Sequence, residues 1–358
     1  VAAFRFSERE LVDGVWRYVA DDAWAADLEA YVGAARRLVT EGSLYATAHV
    51  EAAFQPGSAG PFYYAPPLGV AMLPLLDIPI ADGAVLWYVL RIGALLAACA
   101  LMPVSPAIRV FAFAVIAFTF PVLKDAVLGN VSILLTLPLV IAWRWLDRPV
   151  GSVALAVSMS VRPSLGVFLL WQALRRRWAA LAWTLGAGIV LIALTLPFVG
   201  IDGYREFVAV LGNLQVPGPG SQNRELGTVL ADLGGGDTAL LIGHVAGLVV
   251  GIAAIVLSVR RDRDVGFMVT LGASLLLSPM LWDHYLVTLL LPAAFLAERI
   301  RPVYILLPLL TWLPWFASPF LLVAATLLPF AVRDRRPEGV VRTPAAPFVG
   351  SPGAIGGG

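Results

Sequence analysis

Between about residue 65 and residue 332 the chain is a succession of apolar runs, most of them long enough to cross a bilayer, joined by short polar connections. A hydrocarbon core of about 30 Å requires about 20 apolar residues of a spanning helix, and it offers no water to a bare backbone. Runs fall at roughly 65–79, 83–102, 106–123, 130–146, 150–174, 179–199, 238–259, 266–281, 285–298 and 303–332. They predict an all-α fold, a polytopic bundle of about nine to eleven transmembrane helices. Composition agrees: 14% of the 358 residues are charged and 59% are hydrophobic, where a soluble domain is about a quarter charged. A cytosolic enzyme, a secreted disulfide scaffold and a nucleic-acid-binding module are excluded.

Net charge of +1 gives no field over the whole molecule, so electrostatic arguments rest on where charges sit. The single Cys99 permits neither an intrachain disulfide nor a thiolate metal cluster. His49, His244 and His284 have no ligand spacing, so no metal site is expected. Lys124 is the lone lysine among the 25 basic residues. That skew, with heavy Ala, Val and Gly usage, fits a GC-rich and bacterial genome.

Three regions follow. Residues 1–60 are polar, with nine acidic residues and no spanning run, and read as an outer-face loop with juxtamembrane helices. The chain opens on Val1 without methionine, and Val1–Phe4 look like the tail of a transmembrane helix whose upstream part is missing. Residues 61–332 form the bundle, interrupted by a polar outer loop at 200–237. Residues 333–358, rich in Pro, Gly and Ala, read as a disordered cytoplasmic tail.

Arginine in short loops sets the orientation, because such loops stay cytoplasmic. The dense clusters are Arg175–Arg177, Arg260–Arg263, Arg299 with Arg301, and Arg333–Arg336. Placing all four inside makes the second half self-consistent, provided that 303–332 leaves and returns as two short helices broken at Pro314 and Pro319. Segment 150–174 has basic residues at both ends, so it must turn in the middle, at Val161-Arg162-Pro163. Proline breaks a helix and disfavours helical geometry in the residue before it. Segment 65–79 contains Pro66, Pro67 and Pro74 and is barely long enough to span. If it crosses, one of the next two runs must re-enter.

With this topology the outer end receives residues 1–60, the 200–237 loop, Ser278–Tyr285, the Lys124–Asn130 connection and the Arg162 turn. Ionisable groups converging at one end of a bundle suggest a site there. Arg91 and Arg162 are the two charges that break apolar runs, and neither has an acidic partner within its own run. An arginine so placed requires a cavity or an anionic partner.

Five short motifs follow one another along the chain. They are Asp27-Leu28-Glu29-Ala30-Tyr31 with Gly42-Ser43-Leu44-Tyr45, then Phe62-Tyr63-Tyr64-Ala65-Pro66-Pro67, then Gly129-Asn130-Val131-Ser132. Val161-Arg162-Pro163 and Leu277-Ser278-Pro279 with Trp282 and His284 complete the set. In this order they resemble glycosyltransferase family 87. The family consists of polyprenyl-phosphate-mannose-dependent mannosyltransferases with the GT-C membrane fold. It typically has Lys where this chain has Arg162 and Gln where it has Asn130; both changes keep a donor, although Arg offers a fork.

The resemblance implies an inverting α-mannosyltransferase that moves a sugar from a polyprenyl-phosphate donor to an envelope glycolipid or glycan hydroxyl. It implies a multi-pass plasma-membrane enzyme, with its site on the outer face and no cofactor beyond the lipid-linked co-substrate. Its partners are the bilayer, the lipid-linked sugar and the acceptor, with no nucleic acid. Asp27 is the implied general base, with His284 in support, and Tyr31 lies one turn on along Asp27's helical face. Arg162 is the candidate phosphate clamp, with Asn130 or Asn223 as neutral donors. Tyr31, Tyr64 and Trp282 are candidates for substrate contact, although Trp282 also suits an interfacial belt. The rival reading is a transporter or flippase of lipid-linked sugars, which should carry paired ionisable groups or broken helices near the midplane.

Overall fold

A computed structural model describes residues 26–56 and 61–333, and within them the architecture is helical throughout. Val1–Phe4, Asp21, Asp22 and all of the expected tail but Arg333 lie outside the described residues.

Among the described residues, three helices are long and apolar enough to cross a membrane: Asp82–Leu101, Trp178–Asn213 and Leu226–Ser258. Pro106–Ile116 and Phe120–Leu128 make a fourth candidate, bent by 60° at their junction. The long helices expose apolar side chains on one flank, among them Val85, Val89, Ile189, Leu194, Leu241 and Leu257. Such a face suits lipid and would be costly in water. The centre is built differently. Every residue from Val265 to Leu276 is buried, as is every one from Leu290 to Ala297. These two segments form the middle of the bundle, and Ile108, Leu139, Leu155 and Phe168 pack around them.

Prolines place several of the joints. Pro106, Pro149 and Pro302 occupy first-turn positions of their helices, where a missing N–H leaves no gap in the ladder. Segment 150–174 breaks where the sequence predicted. Pro149–Val161 ends, Arg162 is extended at φ −125° and ψ 95°, and Pro163–Gly166 forms a 3-10 turn before Val167–Leu174. Segment 303–332 is likewise divided, into Pro302–Trp312 and Ser318–Leu327 on either side of Pro314.

Two expectations change. The doubtful segment 65–79 forms a short helix, Pro66–Ala71, followed by the turn Leu73–Leu75. Ten residues of helix rise about 15 Å, half a bilayer core. No re-entrant run is then needed to reconcile the first half with the second. The polar stretch 200–237 is largely helical rather than a loop. Trp178–Asn213 continues through it after a break at Gly200, whose φ of +62° is left-handed and suits a residue without Cβ.

The N-terminal acidic stretch docks on this continuation. Ser43 Oγ donates to Glu206 at 2.6 Å, and Asn213 Nδ2 donates to the Val50 carbonyl at 2.7 Å. Phe54 and Leu214 form an isolated parallel bridge. The two polar stretches therefore meet at one end of the bundle. Basic clusters gather elsewhere: Arg177 and Arg263 both bind Asp147, Arg175 donates to the Arg261 carbonyl at 2.9 Å, and Arg299 pairs with Asp264.

Candidate active site

Asp27 lies in the first turn of Ala26–Glu41, a position at which the helix dipole favours a carboxylate. The helix is amphipathic, and its inner face (Leu28, Tyr31, Val32, Ala35) is buried against Phe62, Tyr64 and Leu68. Tyr31 and Tyr64 meet edge to face at 5.1 Å, and the Tyr31 hydroxyl donates to that of Tyr64 at 3.2 Å. Three expected residues thus share one neighbourhood.

Asn130 joins them because of the turn before it. Phe120–Leu128 ends at Gly129, which adopts the left-handed φ of +70° common at helix ends. The Asn130 carbonyl oxygen accepts the Ser132 backbone N–H at 2.9 Å and the Ser132 hydroxyl at 2.8 Å. A backbone N–H can only donate, so this contact fixes which end of the amide is oxygen. The amide nitrogen then donates to Asp27 Oδ2 at 2.8 Å and to the Tyr31 hydroxyl at 3.1 Å.

Arg162 completes the row. Its Nη2 donates to Ser132 Oγ at 2.7 Å, and its guanidinium lies 4.0 Å over the ring of Tyr285. A hydrogen-bonded line therefore runs from the Arg162 cation through Ser132 and Asn130 to the Asp27 carboxylate. Beside it opens a cavity of about 370 Å³, lined by Tyr63, Tyr64, Asn130, Ser132, Arg162 and Tyr285. Leu135, Val161, Leu211 and Met280 give it apolar walls. Burial pushes the Asp27 carboxyl up to about 6, against the opposing effects of the Asn130 hydrogen bond and the Lys124 and Arg91 charges. An acid so tuned can accept a proton near neutral pH.

Other expected residues stand further off. His284 is buried, with its ring edge-on to Tyr285 at 4.8 Å, so it supports the wall from behind a cavity-lining residue. Trp282 is partly buried and packs with the Leu275, Leu281 and Leu286 cluster. Asn223 has a different use from the one expected. Its amide nitrogen donates to the Pro279 and Pro217 carbonyls, and its oxygen accepts Leu281 N–H and Glu225 N–H. With those bonds it braces the 217–225 stretch against Pro279–Leu281, and it does not line the cavity. Arg224 and Asp283 pair beside it at 2.9 Å.

Sequence reasoning missed three residues here. Ser132 links Asn130 to Arg162, and Tyr285, whose sequence position suits an interfacial belt or stacking on a sugar or prenyl chain, is the platform for the guanidinium. Asp125 is the counter-ion of Arg91, at 3.1 Å. The available signal was Arg91, a charge inside an apolar run that calls for a counter-ion, but Asp125 lies 34 residues away.

A helical membrane bundle with a carboxylate and a guanidinium beside one cavity has the parts of a membrane-embedded transferase. Residues 62–279 match glycosyltransferase family 87. The chain belongs to that family and is a multi-pass membrane glycosyltransferase that transfers a hexose. It is 29% identical over 301 residues, covering 77% of this chain and 70% of the relative, to a curated protein of Mycolicibacterium smegmatis. That relative is named a polyprenol-phosphate-mannose-dependent alpha-(1-2)-phosphatidylinositol pentamannoside mannosyltransferase. No solved structure matches the chain.

Proposed function

We propose that the protein moves mannose from a polyprenyl-phosphate donor to a hydroxyl of an envelope glycolipid or glycan, on the outer side of a bacterial plasma membrane. The observation that carries this reading is the hydrogen-bonded line Asp27–Asn130–Ser132–Arg162, in which Asn130, Ser132 and Arg162 line the cavity and Asp27 stands one hydrogen bond behind Asn130. It sets a proton acceptor and a cation at separate positions, as glycosyl transfer from a phosphate requires. The similarity to a polyprenol-phosphate-mannose-dependent enzyme supports the choice of donor.

In this mechanism the acceptor oxygen attacks the anomeric carbon while Asp27 takes the hydroxyl proton. The carbon–oxygen bond to phosphate breaks, and its electron pair leaves on polyprenyl phosphate. A phosphate is a fair leaving group, so it needs charge neutralisation rather than protonation, which Arg162 supplies. Asn130 holds the Asp27 carboxylate by one oxygen and leaves the other to the acceptor. No metal or cofactor takes part in this scheme. Support for the outer face comes from the basic clusters, which sit in connections of the kind that remain cytoplasmic.

One observation favours the rival transporter reading, the buried Arg91–Asp125 pair. Against it, both groups are also tied to local backbone, and neither lines the cavity. The test uses purified protein, polyprenyl-phosphate mannose labelled in the sugar, and an envelope lipid extract. Label should pass to a lipid acceptor in detergent, where no compartment exists. Label that moves only across proteoliposome membranes, with no new glycolipid, would favour the transporter.

A further inference from the structure

The turn that follows Pro149–Val161 carries two buried polar atoms without a hydrogen-bond partner, Nη1 of Arg162 and Oγ of Ser164. Buried polar side chains are nearly always paired, so two orphans on one turn call for an explanation. Both residues line the cavity described above. The cavity's other small polar groups are already engaged. Ser278 Oγ donates to the Met280 carbonyl at 2.6 Å, Ser132 Oγ donates to Asn130, and the Asn130 amide is shared with Asp27 and Tyr31.

Local sequence sets the two orphans on residues two positions apart. Pro163 holds Arg162 extended and opens the 3-10 turn Pro163–Gly166, which includes Ser164. Arg162 itself is only half satisfied: Nη2 has Ser132, the ring of Tyr285 covers one face, and among the described residues no carboxylate pairs with it. A guanidinium with a free N–H and a free hydroxyl on residues that line one cavity can donate to two oxygens of one anion.

We propose that Ser164 is a donor-binding residue, which together with Arg162 Nη1 takes the non-bridging oxygens of the lipid phosphate. The inference rests on the reading of this cavity as the site of a polyprenyl-phosphate sugar. Arg162 supplies the charge. The Ser164 hydroxyl gives one O–H···O bond and fixes the oxygen that Arg162 can reach. A serine hydroxyl swings about a single side-chain torsion, so it meets an incoming oxygen without backbone movement.

Binding and stability should then respond in opposite ways. Ser164→Ala removes a hydroxyl that has no acceptor, so the unliganded protein loses no hydrogen bond and its Tm should hold or rise. A serine with a structural role behaves otherwise: Ser278→Ala breaks the bond to Met280 and should lower Tm.

The experiment measures unliganded Tm, affinity for farnesyl phosphate as a short polyprenyl monophosphate, and the kcat and KM of mannose transfer, for wild type, Ser164→Ala and Ser278→Ala. For Ser164→Ala we expect an unlowered Tm and farnesyl phosphate affinity weakened about tenfold or more. Donor KM should rise by a similar factor, with kcat held within about twofold. Wild-type affinity in Ser164→Ala overturns the assignment, as does a fall in Tm without loss of affinity. If wild-type protein neither binds farnesyl phosphate nor transfers mannose, the functional reading fails, and the ligand proposed here fails with it. Transfer by wild type with an unaltered donor KM in Ser164→Ala removes Ser164 alone.

Discussion

Arg91 and Arg162 both interrupt apolar segments and both are buried, yet their surroundings differ in kind. Arg91 donates from Nη1 to the Asp125 side chain at 3.1 Å and to its carbonyl at 2.7 Å, and from Nη2 to the Ala126 carbonyl at 3.2 Å. Asp125 in turn accepts the Ile133 N–H. Each keeps one unpartnered nitrogen, Nε in Arg91 and Nη1 in Arg162, but Arg162 has only one hydroxyl and one aromatic face beside it, with no carboxylate among the described residues. A buried cation closed by its own counter-ion is part of the scaffold, whereas one left open beside a cavity awaits an anion. The first arrangement serves the second. Arg91 and Asp125 clasp the turn that presents Asn130, and Trp87 Nε1 holds the Gly129 carbonyl at 2.8 Å. Asn130 then reaches Asp27 on one side and, through Ser132, Arg162 on the other.

The contrast breaks most easily at Arg91. Arg91→Met leaves the Asp125 carboxylate buried alone, and thermal unfolding should show a loss of about 3–5 kcal/mol. Adding Asp125→Leu to that variant should recover much of the loss, because the two changes act on one pair. If Arg91→Met unfolds like wild type, the pair is not a clasp.

Arg162→Ala should behave differently, with a modest change in stability and a loss of donor affinity worth about 1.5–3 kcal/mol, read as a raised donor KM. Tyr285→Leu removes the face beneath the guanidinium. It should cost about 0.5–2 kcal/mol of donor affinity, the range of a cation–π contact. Equal effects of Arg91→Met and Arg162→Ala on both readouts would erase the distinction between them.

Asp27 sharpens the comparison through pH. Its carboxyl is raised to about 6, so the base is lost as pH falls through that value. Below it, kcat/KM should fall about tenfold per pH unit. Stability runs the other way. A carboxyl whose folded value exceeds the unfolded 3.8 favours the folded state below that range, and the advantage is lost as pH rises through about 6. Asp27→Asn should abolish both trends, seen in a pH–rate profile and in unfolding at pH 4 and pH 7.

Much of this was legible in the sequence where a single residue dictates backbone. Pro163 announces the break at Arg162, and Gly129 the turn before Asn130, whereas the proline-rich segment after Tyr64 left open whether it spans. Asp27, Tyr31, Tyr64, Asn130 and Arg162 were named from motifs, and the fold brings them together. What stayed hidden depends on long-range pairing, which periodicity does not encode. Arg91 finds Asp125 across two helices, and Asn223 binds the Pro279 carbonyl and the Leu281 N–H of a loop more than fifty residues on. The polar stretch after Gly200 read as a loop because it is rich in charge. Its helix survives because one face docks on Ser43, Val50 and Phe54.

The most direct test of the account is single-turnover mannose transfer by Asp27→Asn, with polyprenyl-phosphate mannose bound at saturation beforehand. Asparagine keeps size and polarity but cannot take the acceptor's proton. The account predicts donor affinity near wild type and a transfer rate lower by a factor of about 100 to 10,000. Transfer at the wild-type rate from the saturated variant would contradict it.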